Sequence, residues 1–357
     1  MEMGCDTKPG GMLAQGVRLA AARCWPTGGR TVPRGGTAGS LGGNPAVLHF
    51  KAHPTVHYYL QSRFPSARCV DTSAMDPNPA VFDGASSVVV VRHARKDWLD
   101  LLAGLRDDSR PVILFMDDDL PSILDDPFLP LAYALRTSRR FAATAGRLNR
   151  LGAFLMVSTS GLADKYGLDD SAVLPPLPSD FRVETSLCAG DGPVRVFYHG
   201  TMSHIREIAW LRNVMRRVLD RNPNVHFEIF GPERVRRLYA DLPRTTVRRP
   251  LGWEEYRRYA LDSCLDIGLA PLADTPFNAC RSHVKFFDVA RAGGVGVYSD
   301  TPVFRRIVQD GENGILESGG EDGWVGAVCA LAGDSALRER LRKGVSATMA
   351  GLAGGHS

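Results

Sequence analysis

Charged side chains recur at helical spacing in one segment of the second half of the chain. Arg281 and Lys285 are four residues apart and Asp288 follows three residues later, which predicts one shared helix face. Arginine makes bidentate contacts with phosphate, and lysine supplies a compact positive charge. A carboxylate one turn further along can accept hydrogen bonds from ribose hydroxyls. With Ser282 beside them, these residues predict a diphosphate and ribose site. The alternative is an exposed basic helix face with an ordinary ion pair.

A glycine-containing segment precedes a predicted helix in the middle of the chain. Gly200 follows a strand and allows close approach of the backbone to a ligand, while Thr201 and Ser203 offer hydroxyl groups to phosphate oxygens. The helix that follows, with His204 in its first turn, presents free N–H groups and partial positive charge to an anion. The alternative is structural, with Gly200 as a turn residue and Ser203 as the helix N-cap.

Two further loops of the second half follow strands. Phe230-Gly231-Pro232 ends one strand, and Leu251-Gly252-Trp253 follows the next. Gly231 and Trp253 are candidates to line a pocket for a flat base, with the indole ring stacked on it. An equally good interpretation is that Trp253 only begins a helix with an apolar anchor.

In the first half, polar residues directly follow two apolar runs. Asp117–Asp119 come after Val112–Met116, and carboxylates grouped in this way can hold Mg²⁺ or Mn²⁺. We favour a cluster at a helix N-terminus, or a role of Asp118 toward an acceptor. His93 comes after Ser86–Val91 and is a candidate contact for an acceptor or sugar, against the alternative of a structural histidine.

Apolar runs too short to form helices alternate with helical patterns in both halves. Such runs, bounded by turn residues, are typical of strands buried on both faces of a parallel sheet. The alternation predicts an α/β fold with two Rossmann-like parallel-sheet domains facing a cleft, in which ligands bind just after the strands. The predicted strands are Ala46–Phe50, Ser86–Val91, Val112–Met116, Phe154–Ser158, Val194–Tyr198, Val225–Phe230, Leu265–Ala270 and Val295–Tyr298. The main predicted helices are Leu129–Leu151, Ser203–Leu219, Trp253–Leu261 and Ser282–Arg291.

Proline and glycine mark the boundary between these domains. Neither a helix nor a central strand passes through Leu174-Pro-Pro-Leu-Pro178, and the segment Cys188–Pro193 completes a linker. We therefore predict a disordered leader over residues 1–45, an N-terminal domain over 46–180 and a C-terminal domain over 190–350.

The composition is that of an ordinary globular protein. The net charge of +4 permits contact with phosphates or acidic lipid surfaces and does not require a nucleic-acid partner. No apolar run approaches the length of a membrane span. The seven cysteines are odd in number and form no C-x-x-C pair, which argues against a zinc site or a disulfide framework and favours a reducing, cytoplasmic location.

In their order and spacing, these motifs resemble GT-B glycosyltransferases of the family 4 type, also called the group 1 family, over residues 80 to 345. The motifs that carry the resemblance are Asp117–Leu120, Val157–Ser160 with Leu162–Asp164, Tyr198–Thr201, and Pro276–Asp288 continuing to Gly293. The resemblance implies transfer of a sugar from a nucleoside-diphosphate-sugar, which is a substrate, with retention at the anomeric carbon and no metal or cofactor. It also implies that the second domain binds the donor and the first binds the acceptor.

The same resemblance assigns roles to single residues. It places Gly200-Thr201 against the diphosphate, Lys285 on a phosphate and Asp288 on the ribose. The chain departs from the family at Cys280, where a glutamate is usual, and lacks the usual arginine and lysine after the first donor-domain strand. We expect Arg281 to supply the missing charge, which makes Arg281 and Lys285 the candidate catalytic residues through stabilisation of the leaving diphosphate.

The acceptor implied by the resemblance is a glycan or a lipid-linked molecule, and its assembly into polysaccharide or glycolipid suggests peripheral association with the inner face of a membrane. Two alternatives stay open. One is a metal-dependent transferase that uses the Asp117–Asp119 carboxylates. The other is a non-catalytic nucleotide- or glycan-binding homologue, which would account for Cys280 and the missing basic pair.

Overall fold

The chain forms two compact α/β units. The computed structural model describes residues 34–105, 109–126, 129–178, 180–181, 192–201 and 204–354. Of these, the first unit contains 34–51, Phe64–Pro175 and Thr275–Arg281. The second contains Ala52–Arg63 and the described parts of Pro176–Asp274 and 282–354. The segments 52–63 and 275–281 therefore belong to a different unit from their sequence neighbours.

The first unit is built around a six-stranded parallel sheet of order β1-β6-β5-β4-β2-β3. Its order reverses between β2 and β4, and in open α/β sheets such a reversal opens a crevice at the carboxyl ends of the strands. The strands are β1 Arg34–Gly35, β2 Ala46–His49, β3 Arg68–Asp71, β4 Val88–Val91, β5 Val112–Met116 and β6 Phe154–Val157.

The central strands of this sheet are buried because helices pack on it. β4 consists of four consecutive valines, each at most 1% exposed. Branched side chains fit such a pleated surface well, and a strand covered on both faces needs no polar alternation. The first helices are α1 Lys96–Gly104, α2 Leu131–Arg150 and α3 Ser160–Tyr166, with short 3₁₀ turns at Ala38–Leu41, Pro79–Phe82, Leu120–Ser122 and Asp170–Ala172.

The second unit contains another six-stranded parallel sheet, of order β12-β11-β10-β7-β8-β9, which reverses between β7 and β10. Its strands are β7 Val194–Tyr198, β8 Val225–Phe230, β9 Thr245–Arg248, β10 Ile267–Ala270, β11 Val295–Ser299 and β12 Ile315–Glu317. The remaining helices are α4 Ile205–Arg221, α5 Glu233–Leu238, α6 Trp253–Asp262, α7 Pro276–Ala279, α8 Val284–Arg291, α9 Pro302–Arg305, α10 Gly320–Gly333 and α11 Ser335–Gly354, of which α7 belongs to the first unit. A π-helix, Val56–Gln61, belongs to the second unit.

The helix α4 shows how the sequence pattern determines packing. Ile208, Leu211, Met215 and Val218 recur at three- and four-residue spacing, and all are fully buried in the core of the second unit. The predicted α/β architecture with two parallel sheets is confirmed. None of the helices in the described part of the chain is long and apolar enough to cross a membrane.

The end of the predicted leader is part of the first unit. β1 pairs with β6 through Arg34 and Gly35, and the side chain of Leu41 is 1% exposed. The hydroxyl groups of Ser86 and Ser87 both donate to the carbonyl oxygen of Leu41, at 2.8 and 2.6 Å. The prediction of disorder was therefore wrong for residues 34–45, because distant contacts hold a segment with no periodicity of its own. Residues 1–33 lie outside the described part.

Candidate functional site

The loop after β7 lies at the topological switch point of the second sheet, the position predicted for a ligand. A Cβ atom on Gly200 would lie 2.5 Å from the hydroxyl oxygen of Tyr198, so only glycine fits there. Thr201 is exposed, and α4 begins four residues later at Ile205. The amide groups of the first turn of α4 therefore lie beside this loop, which is the arrangement that attracts an anion.

Lys285, in the first turn of α8, lies next to this loop. Its Nζ atom donates to the carbonyl oxygen of His199 and, at 3.2 Å, to Oδ2 of Asp288. The structure thus brings together the two motifs that the sequence placed around a diphosphate. His204 lies 3.8 Å from Glu207 across the first turn of α4. Ser203 lies outside the described residues.

Asp288 is buried and already has several donors. Its Oδ1 atom accepts a hydrogen bond from the hydroxyl of Tyr58 at 2.6 Å and one from Arg291 at 3.3 Å, while Oδ2 accepts from Lys285. Burial and the adjacent Asp288 carboxylate raise the pKa of Tyr58, so the phenol stays a neutral donor. The carboxylate that the sequence assigned to ribose therefore orients Lys285 in this structure.

A second carboxylate, Asp180, extends this cluster. Arg291 is fully buried and donates to Asp180 at 2.7 Å and to the hydroxyl of Tyr58 at 2.5 Å. His57 and Arg257 also bond Asp180, at 2.9 and 3.0 Å. The network joins the segment 52–63 to α8, more than 200 positions later in the sequence. Because its members are far apart along the chain, no local pattern predicts it.

Trp253 begins α6, as the structural alternative predicted. Its ring centroid lies 5.5 Å from that of His57 and 5.7 Å from that of Tyr58, and Arg291 lies 5.4 Å from it. The indole is therefore an anchor inside the same cluster. Gly231 has a packing role as well, since a Cβ atom there would lie 2.4 Å from Cβ of Val235 in α5.

Beneath the β7 loop lies a buried polar cluster centred on Glu228 in β8. The carboxylate accepts hydrogen bonds from Tyr259 and, at 2.6 Å, from Arg248, and lies 3.2 Å from Nε2 of His199. Burial raises the pKa of Glu228, but the hydrogen bonds from His199, Tyr259 and Arg248 outweigh it and lower the pKa to about 2. This cluster fixes the His199 ring and the start of the loop. The glutamate between Phe227 and Ile229, inside the strand sequence VHFEIF, was the available signal.

Ser282 and Arg281 lie outside the helix that contains Lys285. The chain between α7 and α8 is not helical at residues 280–283, because α7 ends after Ala279 and α8 begins at Val284. The prediction that Arg281 and Lys285 share a helix face was therefore wrong. Arg281 belongs to the first unit, where its Nε atom lies 3.9 Å from Asp118 and its guanidinium covers the ring of Phe277. In the second unit, the hydroxyl of Ser282 lies 2.5 Å from that of Tyr59.

The three aspartates after β5 are engaged by cationic side chains. Arg92 contacts both oxygens of Asp117, at 2.5 and 2.6 Å, and also Asp118 at 2.9 Å. Asp119 is fully buried and accepts from Lys165 and Tyr166, both at 2.5 Å. Its carboxylate does not cap the following turn. Within the described residues no three His, Cys, Asp or Glu side chains are placed to hold a metal ion. Ion pairing, which the sequence did not suggest, accounts for this cluster.

His93 follows an unusual backbone conformation at the end of β4. Arg92 has a φ of +59°, a left-handed value that is strained for a residue with a side chain. Both ring nitrogens of His93 are buried without a hydrogen-bond partner. Burial, then the charges of Arg140 and Arg92, lowers the pKa of His93 to about 4, so the imidazole is neutral at pH 7. Its ring centroid lies 5.2 Å from that of Phe50.

Comparison with solved structures gives the fold a name. The chain is similar to sucrose-phosphate synthase from Thermosynechococcus elongatus (14% identity, TM-score 0.55, covering 87% of this chain and 94% of that one). It is similar to HepE from Anabaena in complex with UDP and glucose (11% identity, TM-score 0.55, covering 87% and 95%). It is also similar to WaaG, a glycosyltransferase involved in lipopolysaccharide biosynthesis (10% identity, TM-score 0.55, covering 87% and 98%).

These likenesses define the class of fold. The chain has the two-unit α/β fold of the GT-B glycosyltransferases. It spans about half of the length of one further match, TarM of S. aureus (10% identity, TM-score 0.47, covering 73% of this chain and 52% of that one). No protein-family model matches the sequence, and no curated protein matches it.

Proposed function

We propose that this chain is a glycosyltransferase that transfers a sugar from a nucleoside-diphosphate-sugar bound by the second unit to an acceptor bound by the first. The observation that carries the proposal is the hydrogen bond from Lys285 to the backbone of the loop 199–201, which precedes α4 in the chain. A positive side chain, a glycine that permits close approach and a helix N-terminus meet at the switch point of the sheet. The complex of the similar HepE with UDP and glucose supports this choice of donor.

The chemistry follows from the charge that develops on the leaving diphosphate. As the glycosidic bond breaks, negative charge grows on that group, and fixed positive groups nearby lower the barrier. Lys285 and the α4 amide groups supply this stabilisation in the proposal, in the place where other transferases use a metal ion. We propose retention at the anomeric carbon and independence from added metal on the resemblance to the family 4 type. No cofactor takes part in the proposed reaction.

Fewer residues are assigned to direct contact with the donor than the sequence predicted. Asp288 positions Lys285, because its carboxylate holds Lys285, Tyr58 and Arg291. Its contact with ribose stays a prediction, as do the roles of Thr201 and His204. Arg281 is not assigned to the donor phosphate, since its described contacts are with Asp118 and Phe277.

A specific observation also favours a second function, a non-catalytic nucleotide- or glycan-binding protein. Cys280 occupies a position where a glutamate is usual in similar transferases, and it is 7% exposed, with its carbonyl bonded by the hydroxyl of Thr159 at 2.9 Å. In addition, the carboxylate of Asp288 is occupied by protein donors. Binding of the donor without transfer or hydrolysis would establish this second function.

The first experiment is a calorimetric binding screen of UDP-, GDP- and ADP-sugars, followed by assays of sugar transfer and donor hydrolysis with and without EDTA. Lys285→Ala is compared with Lys343→Ala, which removes an exposed lysine from α11. We expect Lys285→Ala to weaken donor binding about tenfold to a hundredfold, the usual effect of losing a charged hydrogen bond, and to abolish turnover. Unchanged binding and turnover in Lys285→Ala would contradict the site. Loss of turnover in EDTA that is restored by Mg²⁺ or Mn²⁺ would contradict metal independence.

A further inference from the structure

The ammonium group of Lys285 has one N–H that no described protein atom accepts. A lysine carries three such donors, and here one goes to the carbonyl oxygen of His199 and one to Oδ2 of Asp288. No further acceptor bonds Nζ in the part of the chain that the structure describes. The side chain is 28% exposed, so a ligand can reach it. The direction of the third N–H is therefore determined by the two acceptors that hold the other two.

The carbonyl group of His199 is the acceptor whose orientation needs an anchor. It precedes Gly200, and glycine imposes little preference of its own on the peptide plane between them. The side chain of His199 supplies the restriction, because it is buried among aromatic rings. The ring centroids of Phe197 and Phe230 each lie 4.7 Å from that of the imidazole. The orientation of this carbonyl toward Lys285 therefore depends on how the imidazole is held.

Glu228 holds the imidazole through one ring nitrogen, and Tyr256 bonds the other. Oε1 of Glu228 lies 3.2 Å from Nε2 of His199, and the hydroxyl of Tyr256 lies 3.4 Å from Nδ1. Burial lowers the pKa of His199, so the ring is neutral and carries one proton. An ionised carboxylate can only accept, which places that proton on Nε2 and makes Nδ1 the acceptor for Tyr256. One tautomer in one orientation satisfies both partners.

Glu228 is in turn held by side chains from two other elements. Arg248 in β9 donates to Oε2 at 2.6 Å, and the hydroxyl of Tyr259 in α6 donates to Oε1. Glu228 is on β8, which pairs directly with β7, the strand that ends just before His199. The carboxylate therefore ties β9 and α6 to the start of the loop after β7. An apolar side chain at position 228 could fill the same space but could not hold the imidazole.

We propose that Glu228 is a positioning residue for the donor site. Acting through His199, it fixes the carbonyl oxygen that, together with Asp288, directs the third N–H of Lys285 at the donor diphosphate. This inference rests on the proposed function and adds a residue to the site that binds the donor. Glu228 makes no contact with the donor itself. Because its effect on binding passes through Lys285, that effect disappears when Lys285 is removed.

The test is a double-mutant cycle read by calorimetry on the full chain. UDP, GDP and ADP are titrated into the wild type, and the nucleoside diphosphate that binds most tightly is the probe. The cycle consists of the wild type, Glu228→Ala, Lys285→Ala and the double variant, since such a cycle isolates the coupling between two residues. Glu228→Gln is added because its amide oxygen can still accept from Nε2 of His199.

Two further variants separate positioning from packing. His199→Phe keeps an aromatic ring between Phe197 and Phe230 but cannot donate to Glu228, and it replaces Glu228→Ala in the cycle if that protein does not fold. The matched control is Arg342→Met in α11. It breaks a buried ion pair with Asp266, which precedes β10 and so lies at the opposite end of the sheet from the loop after β7.

We expect Glu228→Ala to weaken binding of the probe about tenfold in the wild-type background and less than about twofold in the Lys285→Ala background. His199→Phe should behave like Glu228→Ala, and Glu228→Gln should retain most of the affinity. Arg342→Met should lower the thermal midpoint and leave binding unchanged. Equal losses in the two backgrounds would overturn the inference. So would a loss of affinity in Arg342→Met as large as that in Glu228→Ala, because general destabilisation would then explain both.

The outcome is separable from that of the proposed function, because the cycle needs neither a sugar nor an acceptor. Coupling between Glu228 and Lys285 in a protein that transfers no sugar supports the positioning role and refutes the transferase. Sugar transfer that depends on Lys285, with no coupling in the cycle, refutes the positioning role and leaves the transferase intact. A wild type that binds none of the three nucleoside diphosphates overturns both.

Discussion

The substitution Gly200→Ala tests the geometry of the loop after β7. The added Cβ atom would lie 2.5 Å from the hydroxyl oxygen of Tyr198 and 2.7 Å from two carbons of its ring. Carbon atoms in contact normally lie about 3.5–4.0 Å apart, so the overlap is about 1 Å. Tyr198 is 2% exposed and its ring is closely packed, so we expect the loop backbone to move instead. Overpacking of this kind costs about 1–3 kcal/mol.

Two measurements test the effect of this displacement of the loop backbone, one of stability and one of donor affinity. Urea unfolding should show a loss of about 1–3 kcal/mol, and titration of the preferred nucleotide-sugar should show affinity at least about tenfold weaker, because the backbone that faces the phosphate has moved. The control is Gly326→Ala in α10, where a Cβ atom meets nothing within 4 Å. Alanine in a helix interior should stabilise the protein by about 0.5–1 kcal/mol and leave donor binding unchanged. The reasoning fails if Gly200→Ala matches the wild type in both stability and donor affinity.

Two further predictions concern the buried polar clusters. Replacing Arg291 by methionine leaves the Asp180 and Asp288 carboxylates without their shared cation. We therefore expect urea unfolding to show a free energy of unfolding about 3–5 kcal/mol lower than in the wild type. A decrease under about 1 kcal/mol would show that the network does not stabilise the fold. Glu228 has its folded-state pKa lowered from 4.5 to about 2, so its contribution to stability is present above pH 4.5 and is lost as the pH falls toward 2. In Glu228→Gln we expect a smaller fall in the thermal midpoint between pH 4.5 and pH 2 than in the wild type, and parallel curves for the two proteins would contradict the assigned pairing.

The hydrogen bonds that Asp288 accepts from protein side chains link donor recognition to residues outside the β7 loop. Tyr58, on the π-helix Val56–Gln61, is fully buried and bonds the carboxylate directly. Lys285, which donates to the backbone of the β7 loop, also donates to the same carboxylate. We therefore expect a variant at Tyr58 to alter the orientation of Lys285 as well as packing. Comparison of donor affinity with thermal stability in Tyr58→Phe distinguishes these effects.

Much of the fold could be predicted from the sequence, because the pattern of apolar residues depends on local geometry. The valines of β4 and the apolar residues of β7 have the pattern of strands buried on both faces, and in β7 only Arg195 is partly exposed. The apolar stripe of α4 has the helical period. The short edge strands β3 and β9 were missed because neither contains an apolar run. Val70 is the one buried residue of β3, and partly buried and exposed residues alternate in β9.

The candidate site was predicted less completely. The β7 loop and Lys285 were found because each follows a strand or begins a helix, which local sequence can show. The sequence did not predict the side chains that hold these groups in place. Glu228 is on a neighbouring strand, and Tyr58 comes from a segment more than 200 residues earlier. The assignment of Arg281 failed for a local reason, since the helical spacing was right but the chain is not helical between α7 and α8.

The sequence by itself therefore determined the four central strands of each parallel sheet, the positions of the main helices and the loops that follow those strands. These depend on burial patterns and turn residues within a few positions of one another. Only the tertiary structure decided that residues 52–63 belong with the second unit and that Asp288 is held by Tyr58 and Arg291. Such pairings are set by which distant charged and polar groups meet when water is excluded, and a buried carboxylate takes whichever donors the fold brings to it.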